Sequence, residues 1–396
     1  LGNYSFKNAL PVLSLSFSHV GFYNKEVNVD STLPAIIVLL RNSELLQETI
    51  VRAFEHKNNL EVAAAITVLN KSLLNRFSTQ SFVAAVNTVP GVKMDERSPG
   101  SYRLSIRGNL LRSTFGVRNV KVYWNGMPFT DANGNTYINQ LSLNCINGME
   151  IIRGPSGSMY GSGTGGVVLM STANTVDTKQ QLLDVQVSGG SYGLFSANAS
   201  YEKTGNNYSN LTLSHLQSDG YRDHTNMRKD VFHYTGNYEA GKRHRIGLNV
   251  LYSDLFYQTP GALNLAELNA NPAQARPAAG AFQGAATQQA AIYLKTFYTS
   301  LSDEIKINKN WTNTTGLYAS YTDFENPTIR NYEDKYERGA GGRTVFQIKK
   351  SFFTGTFGAE YQQGFFNTGV YGNKEGVKDT LQFIASIQSK QLNVFA

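Results

Sequence analysis

The chain has 396 residues with 36 basic and 29 acidic side chains, a formal net charge of +7, and it is rich in Gly (36), Tyr (22) and Phe (22). Many aromatics and glycines with only 16% charged residues suit a β-rich protein better than a helical bundle, and the scattered charges, with no Lys/Arg run, exclude the concentrated footprint of a nucleic-acid binder. The single cysteine, Cys145, excludes an intrachain disulfide; no stretch approaches the roughly 18 apolar residues of a membrane-crossing helix, so a membrane location would require a barrel.

Residues 1–41 read as short strands at Tyr4-Ser5-Phe6, Leu13 to Phe17, Val27 to Val29 and Ile36 to Leu39, separated by Asn/Gly/Asp clusters. That pattern fits part of a small β-sandwich, too short to be stable alone. Residues 43–72 are polar apart from an apolar run at 61–69. Between 78 and 174, Ser81 can cap a helix over Phe82 to Val86 that ends at Pro90-Gly91, and strands are expected at 103–107, 120–124, 149–153 and 167–171.

From about residue 181 the period becomes two. Leu183, Val185 and Val187 alternate with Asp184, Gln186 and Ser188, and similar series run from Phe195, Ile246 and Phe353. Apolar and small-polar faces fit strands with lipid outside and a polar lumen inside, although a soluble sandwich gives the same alternation. Tight turns near 203–207, 239–243, 308–311 and 349–351 take turns with long loops expected near 219–227, 256–289, 323–341 and 367–378. That rhythm favours an outer-membrane barrel. About ten strands are expected, against roughly 22 in plugged outer-membrane transporters, so this chain is not expected to close the barrel.

Five motifs in order occupy the central region. They are Ala85 to Val92, Ser105-Ile106-Arg107-Gly108, Val122 to Pro128, Met149-Glu150-Ile151-Ile152-Arg153-Gly154-Pro155, and Ser158 to Val168 with Tyr160, Gly161, Gly165 and Gly166. Their order and spacing across roughly 78–174 resemble the plug domain of TonB-dependent receptors, with Thr164 where the family commonly has Ala. The resemblance implies a mainly β protein: a mixed α/β plug at 78–176, then an incomplete transmembrane antiparallel barrel at 177–396. It also implies that Arg107 and Arg153 face acidic residues of the inner barrel wall, the alternative being that they brace the plug's own turns.

Upstream, Leu46, Gln47, Glu48, Thr49, Ile50, Val51, Arg52 and Ala53 resemble a TonB box, within a linker at 42–77. Such a segment pairs with the energy-coupling protein TonB by strand addition, where backbone bonds matter more than side chains; an ordinary linker strand is the alternative. Residues 1–41 are similar to the later half of a carboxypeptidase-regulatory-like β-sandwich, the arrangement of receptors of the Bacteroidota type.

The series Gly161, Gly163 and Gly166 formally matches a nucleotide-binding fingerprint, but Val167 to Met170 read as a strand where that fingerprint opens a helix. The six histidines have no metal-binding spacing, and no cofactor or catalytic arrangement is apparent. The resemblance therefore implies an importer rather than an enzyme, in the bacterial outer membrane with its N-terminal region and plug facing the periplasm. Expected partners are TonB, outer-membrane lipid and an iron chelate or other nutrient. Candidate substrate contacts are Arg112, Ser113, Thr114 and Phe115 in one plug loop and Phe129, Asp131, Asn133 and Tyr137 in another. The stretch 103–123 and Gln258 to Leu263 look like the iron-complex branch, so a ferric siderophore or ferric citrate is expected, with cobalamin, haem, oligosaccharide or a signalling role as alternatives.

Overall fold

A computed structural model describes residues 14–17, 25–28, 38, 50–51, 57–58, 64–78, 80–109, 116–154, 158–161, 165–172 and 179–396. The chain divides into two compact units, residues 1–62 and 63–396. In the first, β1 (Ser14–Phe17) pairs antiparallel with β2 (Lys25–Asn28), and β3 (Ile50–Val51) with β4 (Lys57–Asn58). Val38, inside an expected strand, lies in none. The expected strand at Tyr4 to Phe6 falls outside the described residues.

The second unit begins with the plug. Its central sheet has the order β10-β9-β13-β12-β5, built from β5 (Ile66–Asn70), β9 (Val120–Trp124), β10 (Met127–Pro128), β12 (Gly148–Arg153) and β13 (Gly166–Ser171). Only the β9–β13 pairing is parallel. Two small antiparallel pairs flank it, β6 (Val92–Glu96) with β7 (Tyr102–Ile106) and β8 (Val117–Arg118) with β11 (Asn135–Thr136). Asn70 ends β5 and starts α1 (Lys71–Asn75), because its side chain accepts the Leu73 amide at 2.9 Å. The Ser81 hydroxyl accepts the Val83 amide at 3.3 Å at the head of α2 (Val83–Val86), which stops before Pro90-Gly91 as expected.

The strand at Gly166–Ser171 is what the glycines serve. At Gly166 φ is +143° and an added Cβ would run into the Ile152 carbonyl oxygen of the neighbouring strand; at Gly154 (φ +100°) it would stand 2.8 Å from Arg107 Nη1. These glycines allow close backbone approach, not phosphate binding.

Residues 181–395 form one antiparallel ten-stranded sheet, from β14 (Gln181–Gly189) through β15 (Phe195–Lys203), β16 (Tyr208–Ser218), β17 (Met227–Ala240), β18 (His244–Gln258), β19 (Ala291–Lys306), β20 (Trp311–Pro327), β21 (Asn331–Lys350) and β22 (Phe353–Lys374) to β23 (Val377–Phe395). Each strand pairs with its sequence neighbour, and β14 and β23 are its two edges. The burial is inverted relative to a soluble sandwich. Thr212, His233, Asn249, Ser253, Thr296 and Ser300 are buried, while Leu213, Phe232, Tyr252, Phe297, Leu301 and Leu317 are exposed. A polar inner face and an apolar outer face define a barrel wall.

Two expected loops are absent. Strands β20 and β21 run through 323–341 and turn only at 328–330, and β22 and β23 run through 367–378 and turn at Glu375-Gly376. Both turn residues have positive φ, +54° and +86°, which suits a tight hairpin. Polar sequence suggested loops, but antiparallel pairing satisfies the backbone whatever the side chains; strands need only about 9–11 residues to cross a bilayer, so the excess stands clear of it. The long connection at 259–290 is present and carries a capped helix, α3 (Leu265–Ala270).

Gly166→Ala should lower plug stability more than Gly91→Ala. Both positions have positive φ, worth about 1–3 kcal/mol of strain each, but nothing lies within 4 Å of a Cβ at Gly91. Limited proteolysis of the plug in detergent-solubilised protein would rank the two variants.

Candidate functional site: the plug–barrel interface

Strand alternation sets this interface. On β9, Val120, Val122 and Trp124 belong to the plug core, while Lys121 and Tyr123 point toward the barrel wall at Glu360. Glu360 on β22 lies opposite Arg343 on β21 and is buried with it. Its carboxylate accepts Arg343 Nη1 at 2.7 Å and the Tyr123 hydroxyl at 2.9 Å, and Lys121 Nζ stands at 3.5 Å. The Arg343 guanidinium also lies 5.0–5.4 Å from the ring centres of Tyr123, Tyr160 and Phe395, which favours a desolvated cation.

Next to it the barrel grips the plug's backbone. The Tyr298 hydroxyl donates to Pro128 O (3.1 Å), Gln362 Nε2 to Thr130 O (3.1 Å), and Ser389 Oγ and Gln391 Nε2 to Ala132 O (2.8 and 2.7 Å). Farther along, the buried Lys229 Nζ donates to Asn139 O (3.3 Å) and Leu141 O (2.9 Å). Trp124 stacks between His233 (4.7 Å) and Tyr298 (6.2 Å), with Phe129 edge-on to Trp124 and Tyr298.

The second candidate contact loop is thus part of the interface. Phe129 packs in this aromatic tier, and the Tyr137 hydroxyl donates to Glu337 Oε1 of β21 at 3.1 Å while its ring stacks on Phe324. Asp131 Oδ1 accepts the Asn133 and Asn135 amides at 2.8 and 2.9 Å, closing a turn through Gly134. Burial pushes the Asp131 carboxyl up to about 6. Asn133 is exposed. The other loop, Arg112 to Phe115, lies outside the described residues, as do Pro155 and, apart from Ile50 and Val51, the TonB-box-like residues.

The expected arginine contacts differ. Arg153 donates through Nη1 to Pro90 O at 2.6 Å and through Nε to Ala65 O at 3.3 Å, bracing the plug's own backbone. Arg107, at φ +52°, is exposed with its guanidinium against Gly154. Among the described residues, Lys121 is a plug cation that does meet a barrel carboxylate, Glu360. Gly108 is exposed beside Arg107, Gly161 lies beside Lys121 and Asn393, and Glu150 is buried in β12. His233 is inward and bonds Asn249 at 2.8 Å, and His215 faces outward and bonds Asp230 at 2.6 Å. Burial pushes the Cys145 thiol up to about 12, so it stays un-ionised. Among the described residues no three His, Cys, Asp or Glu are placed to hold a metal. Sequence reasoning missed Arg343, Glu360, Lys229 and Gln362, since no motif marks a barrel residue whose partner lies over 80 residues away; the inward, period-two position of each is the signal that was available.

A plug seated against the polar face of an antiparallel barrel wall is the architecture of a plugged outer-membrane receptor. Residues 58–168 match the TonB-dependent Receptor Plug Domain family, so this part of the chain carries a plug domain of that family. In sequence it is similar to the vitamin B12 transporter BtuB of Vibrio vulnificus (strain CMCP6), 26% identical over 128 residues, or 32% of this chain and 20% of that protein. In fold it is similar to the unliganded ferric citrate transporter FecA (TM-score 0.66, 14% identity, 84% of this chain and 54% of that one). It is also similar to the copper transporter OprC (0.61, 14%, 84% and 50%) and the ferric-catecholate import receptor Fiu of E. coli K12 (0.61, 16%, 85% and 57%). The chain spans about half the length of these structures.

Glu360→Gln should destabilise the plug–barrel contact by about 3–5 kcal/mol, the usual cost of stranding a buried charge. Lys121→Met should cost far less, since its ammonium is more distant and partly solvated. Chemical denaturation followed by Trp124 fluorescence would read both. Asp131 predicts a pH dependence of the same contact. Its carboxyl is raised in the native state, so that state binds the extra proton between about pH 4 and 6, and stability falls as pH rises through that window. Asp131→Asn should flatten the fall when melting is followed in a chelating buffer.

Proposed function

We propose that the chain works in active, TonB-driven import of a scarce nutrient across the bacterial outer membrane, with the N-terminal region and plug facing the periplasm. The observation that carries this reading is a plug hydrogen-bonded to a polar barrel wall, contacts that passage of a cargo along that wall would have to remodel. The transport is non-covalent, so the protein is not an enzyme. TonB would engage Leu46 to Ala53 by strand addition, and outer-membrane lipid would cover the apolar face of Leu213, Phe232 and Phe297.

The division into a regulatory-like sandwich (1–41), linker (42–77), plug (78–176) and barrel (177–396) belongs to the same proposal, with the difference that β5, paired with β12 in the plug sheet, brings the end of that linker into the plug. For substrate contact we assign Arg112, Ser113, Thr114, Phe115 and the exposed Asn133, with Phe129, Asp131 and Tyr137 holding that surface to the barrel. A ferric siderophore or ferric citrate is the proposed cargo, supported by the stretch 103–123 and by the fold shared with a ferric citrate transporter. Cobalamin is the second reading, favoured by the sequence match to a vitamin B12 transporter.

Cells carrying the full-length protein should take up radiolabelled ferric citrate, and uptake should stop with an uncoupler or on deletion of residues 46–53. Uncoupler-sensitive uptake of cobalamin instead would move the assignment to the second reading, and uptake that survives the deletion would remove TonB coupling. Arg112→Ala with Phe115→Ala should weaken ligand binding without altering barrel assembly; unchanged affinity would end that assignment.

A further inference from the structure

Between the plug and the barrel wall lies a partly enclosed space that the import reading does not use. Asp131 and Tyr137 of the plug and Glu337, Thr296, Ser320 and Thr322 of the barrel line a cavity of about 40 Å³, room for more than one oxygen-sized occupant, since a water needs about 10–15 Å³. Asp131 Oδ1 is satisfied by two amides, but Oδ2 is buried and has no protein partner. Glu337 receives one neutral donor, the Tyr137 hydroxyl. Arg338 also lines the cavity, but among the described residues no ion pair reaches either carboxylate. Lys335 is paired with Glu333 at 2.9 Å and lies over Phe324, and Arg118 acts on Asp131 and Glu337 only through its field, without an ion pair. A buried, unpartnered carboxylate oxygen facing the same space as a second, half-buried carboxylate favours a shared proton or a bound cation.

We propose that this cavity is a site for a hard divalent cation of the calcium class, held by Asp131 of the plug and Glu337 of the barrel. The donor set suits such an ion: two carboxylates, the Ser320 hydroxyl, the Thr296 and Thr322 hydroxyls that now bond each other at 3.1 Å, and space for water, all oxygen, whereas soft metals select sulfur or imidazole. Calcium takes roughly 6–8 oxygens in loose geometry, so a site shared by two bodies is compatible with it. The ion would tie the 131–137 loop to β21 and make plug seating depend on external divalent cation. The inference needs only the plug–barrel contact and stands apart from the identity of the cargo.

The test is terbium luminescence on the full-length protein in detergent, with excitation of tyrosine, since Tyr137 lines the cavity. A saturable, tyrosine-sensitised signal displaced by calcium is expected. Asp131→Asn and Glu337→Gln should each weaken terbium binding at least tenfold, while Glu375→Gln, at an exposed hairpin tip, should leave it unchanged. If Asp131→Asn fails to fold, Glu337→Gln carries the test alone. Equal terbium affinity in the wild type and in the cavity variants would overturn the site. So would calcium-independent melting combined with a stabilised Asp131→Asn, which would show that the pair holds a proton instead.

Discussion

A barrel wall that is apolar outside and polar inside cannot leave its inner face dry and unmatched, because each buried polar group without a partner costs about as much as a lost hydrogen bond. Strands β16 to β23 present Thr212, Asn249, Thr296, Ser300 and Gln362 inward, and whatever fills the space must answer them. The plug answers with backbone carbonyls: Pro128, Thr130, Ala132, Asn139 and Leu141 all accept from wall side chains. Binding through main-chain oxygens asks little of the plug's side chains there, and the 128–141 segment can hold its place while its exposed residues vary.

At one point the match is ionic. Glu360 is buried with Arg343 beside it, and a plug hydroxyl and a plug ammonium complete its surroundings. Arg343, also on the wall, offsets the Glu360 charge at 2.7 Å. The plug supplies Tyr123, which both bonds the carboxylate and lays its ring on the guanidinium. Such an arrangement fixes position more than it adds stability, since the gain of a buried pair is largely offset by desolvation.

Much of this was legible in the residues. The plug strands at 120–124, 149–153 and 167–171 and the tight turns near 203–207, 239–243, 308–311 and 349–351 follow from short-range causes: period-two burial and turn chemistry. The long hairpins at 323–341 and 367–378 were not, because polar and charged tips read as loops when the partner strand is unknown. The arginines misled for a related reason. Arg153 stands in a motif, but its reach to Pro90 O and Ala65 O depends on where β12 lies beside β5.

What the sequence determined by itself is the order of the parts and the face each side chain takes, since both rest on spacing along one strand or one turn. It could not say which alternating face is wet: Leu213 out and Thr212 in fits a sandwich as well as a barrel until the strands are assembled and the apolar side is seen to be the exposed one. Tertiary structure alone decided that, and decided that Lys121 rather than Arg107 or Arg153 meets the barrel carboxylate. Glu360 is 239 residues from Lys121, and contact across that separation is set by sheet register and plug seating, which no local pattern encodes.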